Sequence, residues 1–174
     1  MTQDPVVLIA GGGIGGLTLA LTLHQIGVRC RLFEQSREMK PLGVGINILP
    51  HGSAVLHHLG LQDRMDQIAI RTRAVEYRTR FGQIIQSDER GVDAGFEFPQ
   101  YSVHRGQLQF LLLDAVRQRL GGHAVVTGAA LSRFTQNNDK VALSFADGRT
   151  AEADLLIGAD GLWSQVRGQL VPDE

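Results

Sequence analysis

The sequence predicts an α/β fold in which a doubly wound parallel sheet carries an inserted β-meander. Three observations predict it: an apolar run followed by glycines and a helical pattern near the N-terminus, a second long helical pattern near residue 110, and apolar segments separated by turn signals after it. A chain of 174 residues can bury one sizeable core, so a single domain over 1–174 is the default expectation.

The N-terminal pattern predicts a βαβ unit. Val6–Ala10 is a short, continuous apolar run, which is typical of a parallel strand covered on both faces. Apolar residues then recur at helical spacing from Ile14, and Gly27 is a natural helix stop. Val28–Phe33 is expected to be the second strand. Because parallel strands need a crossover, the helix between them supplies a right-handed connection.

The rest of the chain predicts two further regions. Glycine and proline in Pro41–Pro50 predict an irregular loop ahead of a helix near Gly52–Leu59, and two weak strands are expected at Arg73–Arg80 and Gln83–Gln86. A long helix is expected from Arg105 to Leu120. The strand-like segments after it are Ala124–Thr127, Ala130–Phe134, Val141–Phe145 and Thr150–Gly158, with Asp147-Gly148 as a hairpin signal.

Composition excludes several classes of partner. The formal charge of -1 and the pI near 6.6 give no electrostatic reason to expect nucleic acid or a membrane surface. The single cysteine, Cys30, rules out an internal disulfide framework. His51, His57 and His58 lack a carboxylate or cysteine at ligand spacing, so no metal site is expected. Without a signal peptide or an apolar span, we expect a cytoplasmic protein.

The glycines after the first strand match a nucleotide-binding pattern. Gly11-x-Gly13-x-x-Gly16 follows a predicted strand and opens a predicted helix, as in a Rossmann-like dinucleotide fold. Gly11 permits the tight turn, Gly13 lets the backbone approach a pyrophosphate, and Gly16 lets the helix pack on the strand. Free N–H groups and the helix dipole favour an anion there.

Three other features bear on the choice of nucleotide. Glu34 follows the second strand, where a carboxylate accepts hydrogen bonds from ribose hydroxyls and repels a 2′-phosphate, which favours FAD or NAD over NADP. Arg105 stands at a helix start, where its guanidinium can hold a diphosphate. The meander before the strand of Asp154–Gly161, which is expected to be buried, is foreign to a simple NAD-binding domain.

Four ordered motifs together resemble one enzyme family. GGGIGG with Glu34, PLGVGIN from Pro41, HRGQL from His104 and DLLIGADGLWSQVR from Asp154 resemble the group A flavoprotein monooxygenases, which are FAD-dependent aromatic hydroxylases. The resemblance covers nearly the whole chain. Within the family, PLGVGIN and the segment 90–109 are most similar to phenazine-modifying members, ahead of salicylate-hydroxylase-like enzymes.

The resemblance implies a role for individual residues. It puts Glu34 on the ribose, Arg105 on the diphosphate, and the backbone of Leu131 near the adenine. It puts Asp160 at the FAD pyrophosphate and at the productive NAD(P)H encounter, and the segment Gly43–Ile46, which contains Gly45, beside the isoalloxazine. The residues implied at the ADP pyrophosphate are Gly11, Gly13, Ile14, Gly15 and Gly16. No acid–base catalyst is expected among the 174 residues.

The implied function is hydroxylation of a small aromatic or phenazine-type substrate with NAD(P)H and O₂. Two alternatives stay open at this point: a nucleotide-binding or FAD-binding module without turnover, and an NAD-dependent dehydrogenase. Chains of the family are considerably longer, so we expect an N-terminal portion that lacks the substrate domain and the C-terminal return motif. The face left exposed would favour association of the chain into a homo-oligomer.

Overall fold

A computed structural model describes residues 6–137 and 139–172, and the chain forms two units in it. The first unit contains the described residues up to Lys40 and those from Gln109 onward, and the second contains Pro41–Leu108. The strands are β1 (Val6–Ala10), β2 (Arg29–Phe33), β3 (Gly45–Ile48), β4 (Ala69–Thr72), β5 (Ala74–Arg78), β6 (Ile84–Glu89), β7 (Gln100–His104), β8 (Val125–Val126), β9 (Leu131–Gln136), β10 (Val141–Phe145), β11 (Thr150–Ala153) and β12 (Leu155–Gly158). The helices are α1 (Ile14–Gln25), α2 (Pro50–His58), α3 (Gln62–Ile68), α4 (Arg105–Leu120) and α5 (Gln165–Leu170).

A four-stranded parallel sheet organises the first unit. Its strand order is β12-β1-β2-β8, and each neighbouring pair is parallel. Numbered by their appearance along the chain, these four strands lie in the order 3-2-1-4, read from β8 to β12, which is the order of a Rossmann-like sheet. The predicted βαβ unit and the α/β fold class are confirmed. The order reverses between β1 and β12, where such folds form a crevice at the carboxyl ends of the strands.

An antiparallel meander covers one face of that sheet. Its strand order is β11-β10-β9, as predicted from the turn signals. Phe33 of β2 meets Phe145 of β10 with ring centroids 4.6 Å apart. Leu8, Phe134 and Leu143 are buried in the same cluster. Burial of these side chains joins the two sheets into one hydrophobic core.

The second unit is built from antiparallel strands. β7 lies between β3 and β4, and β5 pairs with β6 in a hairpin. The prediction of an irregular loop over Pro41–Pro50 is therefore wrong for Gly45–Ile48, which form β3. These residues form a strand because β7 supplies hydrogen-bond partners, with Ile46 opposite Val103. Local composition does not reveal a partner that is distant in sequence.

The predicted segment Thr150–Gly158 is two strands, not one. β11 pairs with β10 in the meander, and β12 pairs with β1 in the parallel sheet, so the chain changes sheet at Asp154. The expectation of a buried strand here is also wrong. β12 is an edge strand, and Leu155 is 51% exposed. Over the residues described, no helix combines the length and the apolar character needed to cross a membrane.

A buried tyrosine links β7 to α3 in the second unit. The Tyr101 hydroxyl donates to Asp66 Oδ1 at 2.8 Å, and Arg71 donates to both oxygens of the same carboxylate at 2.8 and 2.6 Å. The Arg71 guanidinium holds the pKa of Asp66 below its usual range. Burial, with the hydrogen bond to Asp66, raises the pKa of Tyr101 to about 12.

We expect this raised pKa to make the second unit sensitive to alkali. The folded state favours the neutral phenol, so the stabilisation is complete below the unfolded value of 10.0 and is lost as pH rises towards about 12. In Tyr77→Phe, Tyr101 is the one remaining tyrosine, and the absorbance of its phenolate reports the titration directly. Ionisation of the folded protein near 10 would contradict the assignment, and Tyr101→Phe should lose this alkaline dependence.

Candidate functional site

The glycine turn lies where β1 and β12 end side by side. The Gly11 N–H donates to the Phe33 carbonyl at 2.7 Å, and the Ala159 N–H donates to the Ala10 carbonyl at 2.7 Å. Gly11 has a φ of +110°, and a Cβ there would lie 2.3 Å from the Ala159 oxygen. Both the backbone conformation and the space therefore require glycine at this position.

The other glycines of the turn divide into two kinds. A Cβ on Gly16 would lie 2.0 Å from the Gly11 oxygen, so the close packing of α1 on the turn needs glycine. A Cβ on Gly13 or Gly15 would meet no atom within 4 Å. Gly13 also has an ordinary φ of -73°. The packing of the protein explains Gly11 and Gly16, but it does not explain Gly13.

Open space and backbone donors coincide at the start of α1. The first N–H groups of an α-helix have no acceptor within the helix. Because α1 begins at Ile14, this applies to the N–H groups at the end of the glycine turn. Over the described residues, no side chain caps this end. The helix dipole adds partial positive charge. The geometry fits a phosphate or diphosphate, which would bond the N–H groups and occupy the space that a Cβ on Gly13 would fill.

Glu34, immediately after β2, is tied to the glycine turn. Its Oε2 accepts from the Gly12 N–H at 2.7 Å, and its Oε1 accepts from the Ser36 N–H at 2.8 Å. A Cβ on Gly12 would lie 2.9 Å from Oε2, so the hydrogen bond needs a glycine at 12. Each carboxylate oxygen keeps lone-pair capacity for a further donor. The Gly-x-Gly-x-x-Gly spacing does not single out Gly12, which stands at one of its variable positions.

Leu131 lies on the segment that runs past Glu34. The Ala129 N–H donates to the Glu34 carbonyl at 2.8 Å, and the Gly128 N–H donates to the Ser36 carbonyl at 2.9 Å. Leu131 follows as the first residue of β9, half-buried and opposite Phe145. The end of β2 and the start of the meander therefore form one continuous wall beside the turn.

Asp160 borders the turn, but its carboxylate serves helix α5. Its Oδ1 accepts from Ser164 Oγ at 2.6 Å, and its Oδ2 accepts from the Gln165 and Val166 N–H groups at 2.7 and 3.2 Å. The hydroxyl of Ser164 in turn accepts from the Arg167 N–H at 2.9 Å. Asp160 therefore caps α5, a role that its Asp-Gly motif did not reveal.

Gly45 and Arg105 belong to the second unit. Arg105 is exposed at the start of α4, and its N–H donates to the Val44 carbonyl at 3.0 Å. A Cβ on Gly43 would lie 3.1 Å from Arg105 Cβ, so this loop is closely packed on Arg105. A Cβ on Gly45 would meet open space. Within the described ranges, the Arg105 guanidinium has no carboxylate partner.

A side chain distant in sequence also bonds the turn. Gln109 Nε2 donates to the Gly12 carbonyl at 2.9 Å, across 97 residues. HRGQLQ contains this glutamine, but nothing in its spacing pointed to Gly12. The structure thus brings Gly11–Gly16, Glu34, Leu131 and Asp160 to one unit, and it brings Gly45 and Arg105 to the other. Among the residues that the structure describes, no group of three histidine, cysteine or acidic residues could hold a metal ion.

Comparisons with known proteins identify the family of the chain. The model of the FAD-binding domain family matches residues 4–172. The phenazine 1,6-dicarboxylic acid hydroxylase PhzS of Lysobacter antibioticus is 44% identical over 99% of this chain and 44% of its own length. The 3-amino-4-hydroxybenzoate 2-monooxygenase of Streptomyces cremeus is 38% identical over 98% of this chain and 43% of its own length.

A solved structure gives the same result for the fold. Klebsiella pneumoniae HpxO, complexed with FAD and uric acid, has a TM-score of 0.83 and 30% identity over 97% of this chain and 42% of its own. The chain therefore spans less than half the length of these relatives. The resemblance drawn from the four motifs is confirmed, and the chain belongs to the FAD-binding domain family.

Proposed function

We propose that this chain is the FAD-binding part of a monooxygenase that hydroxylates an aromatic or phenazine-type substrate with NAD(P)H and O₂. The observation that carries the proposal is the open space over Gly13, at the start of α1, in a turn where a Cβ on Gly11 or Gly16 would clash with backbone. The names of the relatives support the class of substrate. Since the chain spans less than half of their length, the hydroxylation is proposed for a whole protein of the relatives' length and not for these 174 residues alone.

In this proposal the backbone holds the diphosphate of FAD. The N–H groups of Gly13 to Gly16, with Ile14 among them, donate to it, and the dipole of α1 stabilises its charge. Arg105 supplies a second, cationic contact to the diphosphate, because its guanidinium is exposed and has no carboxylate partner among the described residues. Asp160 supports the diphosphate site because its backbone lies beside Gly11 and its carboxylate fixes the start of α5.

The ribose and the flavin ring are assigned to the walls of the site. Glu34 accepts hydrogen bonds from the ribose hydroxyls while it keeps Gly12 in place, and its charge disfavours a 2′-phosphate. The backbone of Leu131 lies against the adenine. Gly45 offers a surface without a side chain to the isoalloxazine. When bound and reduced, FAD supplies the chemistry that activates O₂ for transfer to an aromatic ring. The described residues bind and orient it, and none is assigned as an acid–base catalyst.

Substitution of Gly13 tests the diphosphate site. We expect Gly13→Ala to fold normally, because its Cβ meets no protein atom, and to bind FAD roughly tenfold more weakly or worse. Fluorescence titration of the purified protein with FAD measures the dissociation constant. Gly168→Ala is the matched control, since its Cβ also points into open space. Equal FAD affinity in both variants would contradict the site, and tighter binding of NADH than of FAD would favour a dehydrogenase.

Substitution of Glu34 tests its double role. In Glu34→Gln the single carbonyl oxygen can serve only one of the two N–H groups of Gly12 and Ser36, so we expect a loss of about 1–2 kcal/mol of stability. FAD affinity should fall with it. Thermal unfolding and FAD titration measure the two effects, and Glu38→Gln on the exposed stretch after β2 is the control. If neither the stability nor the FAD affinity changes in Glu34→Gln, the role proposed for Glu34 is wrong.

A further inference from the structure

The Gly12 backbone is held from both sides by side chains. Its N–H donates to Glu34 Oε2 at 2.7 Å, and its carbonyl accepts from Gln109 Nε2 at 2.9 Å. Gln109 is half-buried on α4, and Glu34 follows β2. The two bonds come from elements that are far apart in sequence, and they act on two consecutive peptide groups.

Each of these hydrogen bonds holds one polar group of a peptide and thereby orients the other polar group of the same peptide. A trans peptide group is planar, so its C=O and its N–H point in opposite directions. Glu34 holds the N–H of the 11–12 peptide, and the carbonyl of that peptide, on Gly11, points to Gly16, where a Cβ would be only 2.0 Å away. Gln109 holds the carbonyl of the 12–13 peptide, so the Gly13 N–H points away from Gln109.

The Gly13 N–H belongs to the N-cap residue of α1, at the end of the helix where an anion would bind. The space beside Gly13 is open, since a Cβ there would meet no atom within 4 Å. Over the described residues, no protein acceptor bonds this N–H. Without Gln109, no hydrogen bond among the described residues would hold the 12–13 peptide itself, although Glu34 and the Leu17 N–H hold the peptides on either side of it. The donor would then have to be oriented by the ligand, at a cost in affinity.

We propose that Gln109 is a positioning residue for the cofactor site. It fixes the 12–13 peptide so that the Gly13 N–H faces the diphosphate of FAD before FAD arrives. This inference rests on the proposed function, because it takes FAD as the ligand of the glycine turn. Gln109 lies outside the glycine pattern, and its Nε2 orients the peptide through the hydrogen bond to the Gly12 carbonyl.

Three substitutions on α4 test the role. Gln109→Met keeps the length of the side chain and removes the donor, and we expect FAD affinity to fall roughly tenfold with little change in the unfolding temperature. Gln109→His keeps an N–H of similar reach and should recover most of the lost affinity. Gln118→Met, an exposed position on the same helix, makes the same chemical change away from the turn and should bind FAD normally.

The FAD-free protein gives a second readout. In its NMR spectrum the Gly12 carbonyl carbon and the Gly13 amide should shift in Gln109→Met and return towards their original positions in Gln109→His. A residue that only docks α4 would change the unfolding temperature without this paired recovery. Unchanged FAD affinity in Gln109→Met, with FAD bound by the unsubstituted protein, overturns the role of Gln109 alone. If the unsubstituted protein does not bind FAD, the proposed function fails and takes this role with it.

Discussion

The close approach of the Gly11 carbonyl to the Gly16 α-carbon is the constraint on which the site depends. A side chain on Gly16 would lie 2.0 Å from that oxygen, so α1 can begin directly above the end of β1 only if position 16 is glycine. Gly11 makes a second approach of this kind to Ala159, at the end of β12. These two missing side chains bring the start of α1 to the crevice where the order of the parallel sheet reverses. Beyond these two contacts the turn is open, since a Cβ on Gly13 or Gly15 would meet no atom within 4 Å.

The polar side chains around the turn mainly hold backbone in place. Glu34 bonds the N–H groups of Gly12 and Ser36, Gln109 bonds the Gly12 carbonyl, and Asp160 caps α5. A site made of backbone donors cannot be adjusted by side-chain rotation, so its precision has to come from such contacts. This arrangement suits a cofactor that carries the reactive chemistry itself, because the protein then has to orient it and does not have to supply an acid or a base.

The sequence predicts the elements whose signal is local. β1, α1, α4 and the meander carry apolar periodicity and clear turn residues, and the structure contains them. β3 and β4 are short, largely exposed strands that depend on β7, a partner remote from β3 in sequence, so their local pattern does not reveal them. The same reason applies to the site. A fixed spacing along the chain identifies Gly11, Gly13, Gly16 and Glu34. Gln109, in contrast, contacts Gly12 only in the folded chain. The capping role of Asp160 likewise depends on the N–H groups of α5, which the motif itself does not include.

In the proposed site, the backbone N–H groups of Gly13 to Gly16 bind the diphosphate of FAD. The most direct measurement is an amide NMR spectrum of the purified protein during titration with FAD. We expect the amides of Gly13, Ile14, Gly15 and Gly16 to shift together and saturate with FAD. Those of Gly82 and Gly148, in turns of the β5–β6 hairpin and the meander, should stay in place. Saturation by FAD with the four amides of the glycine turn unmoved would contradict it.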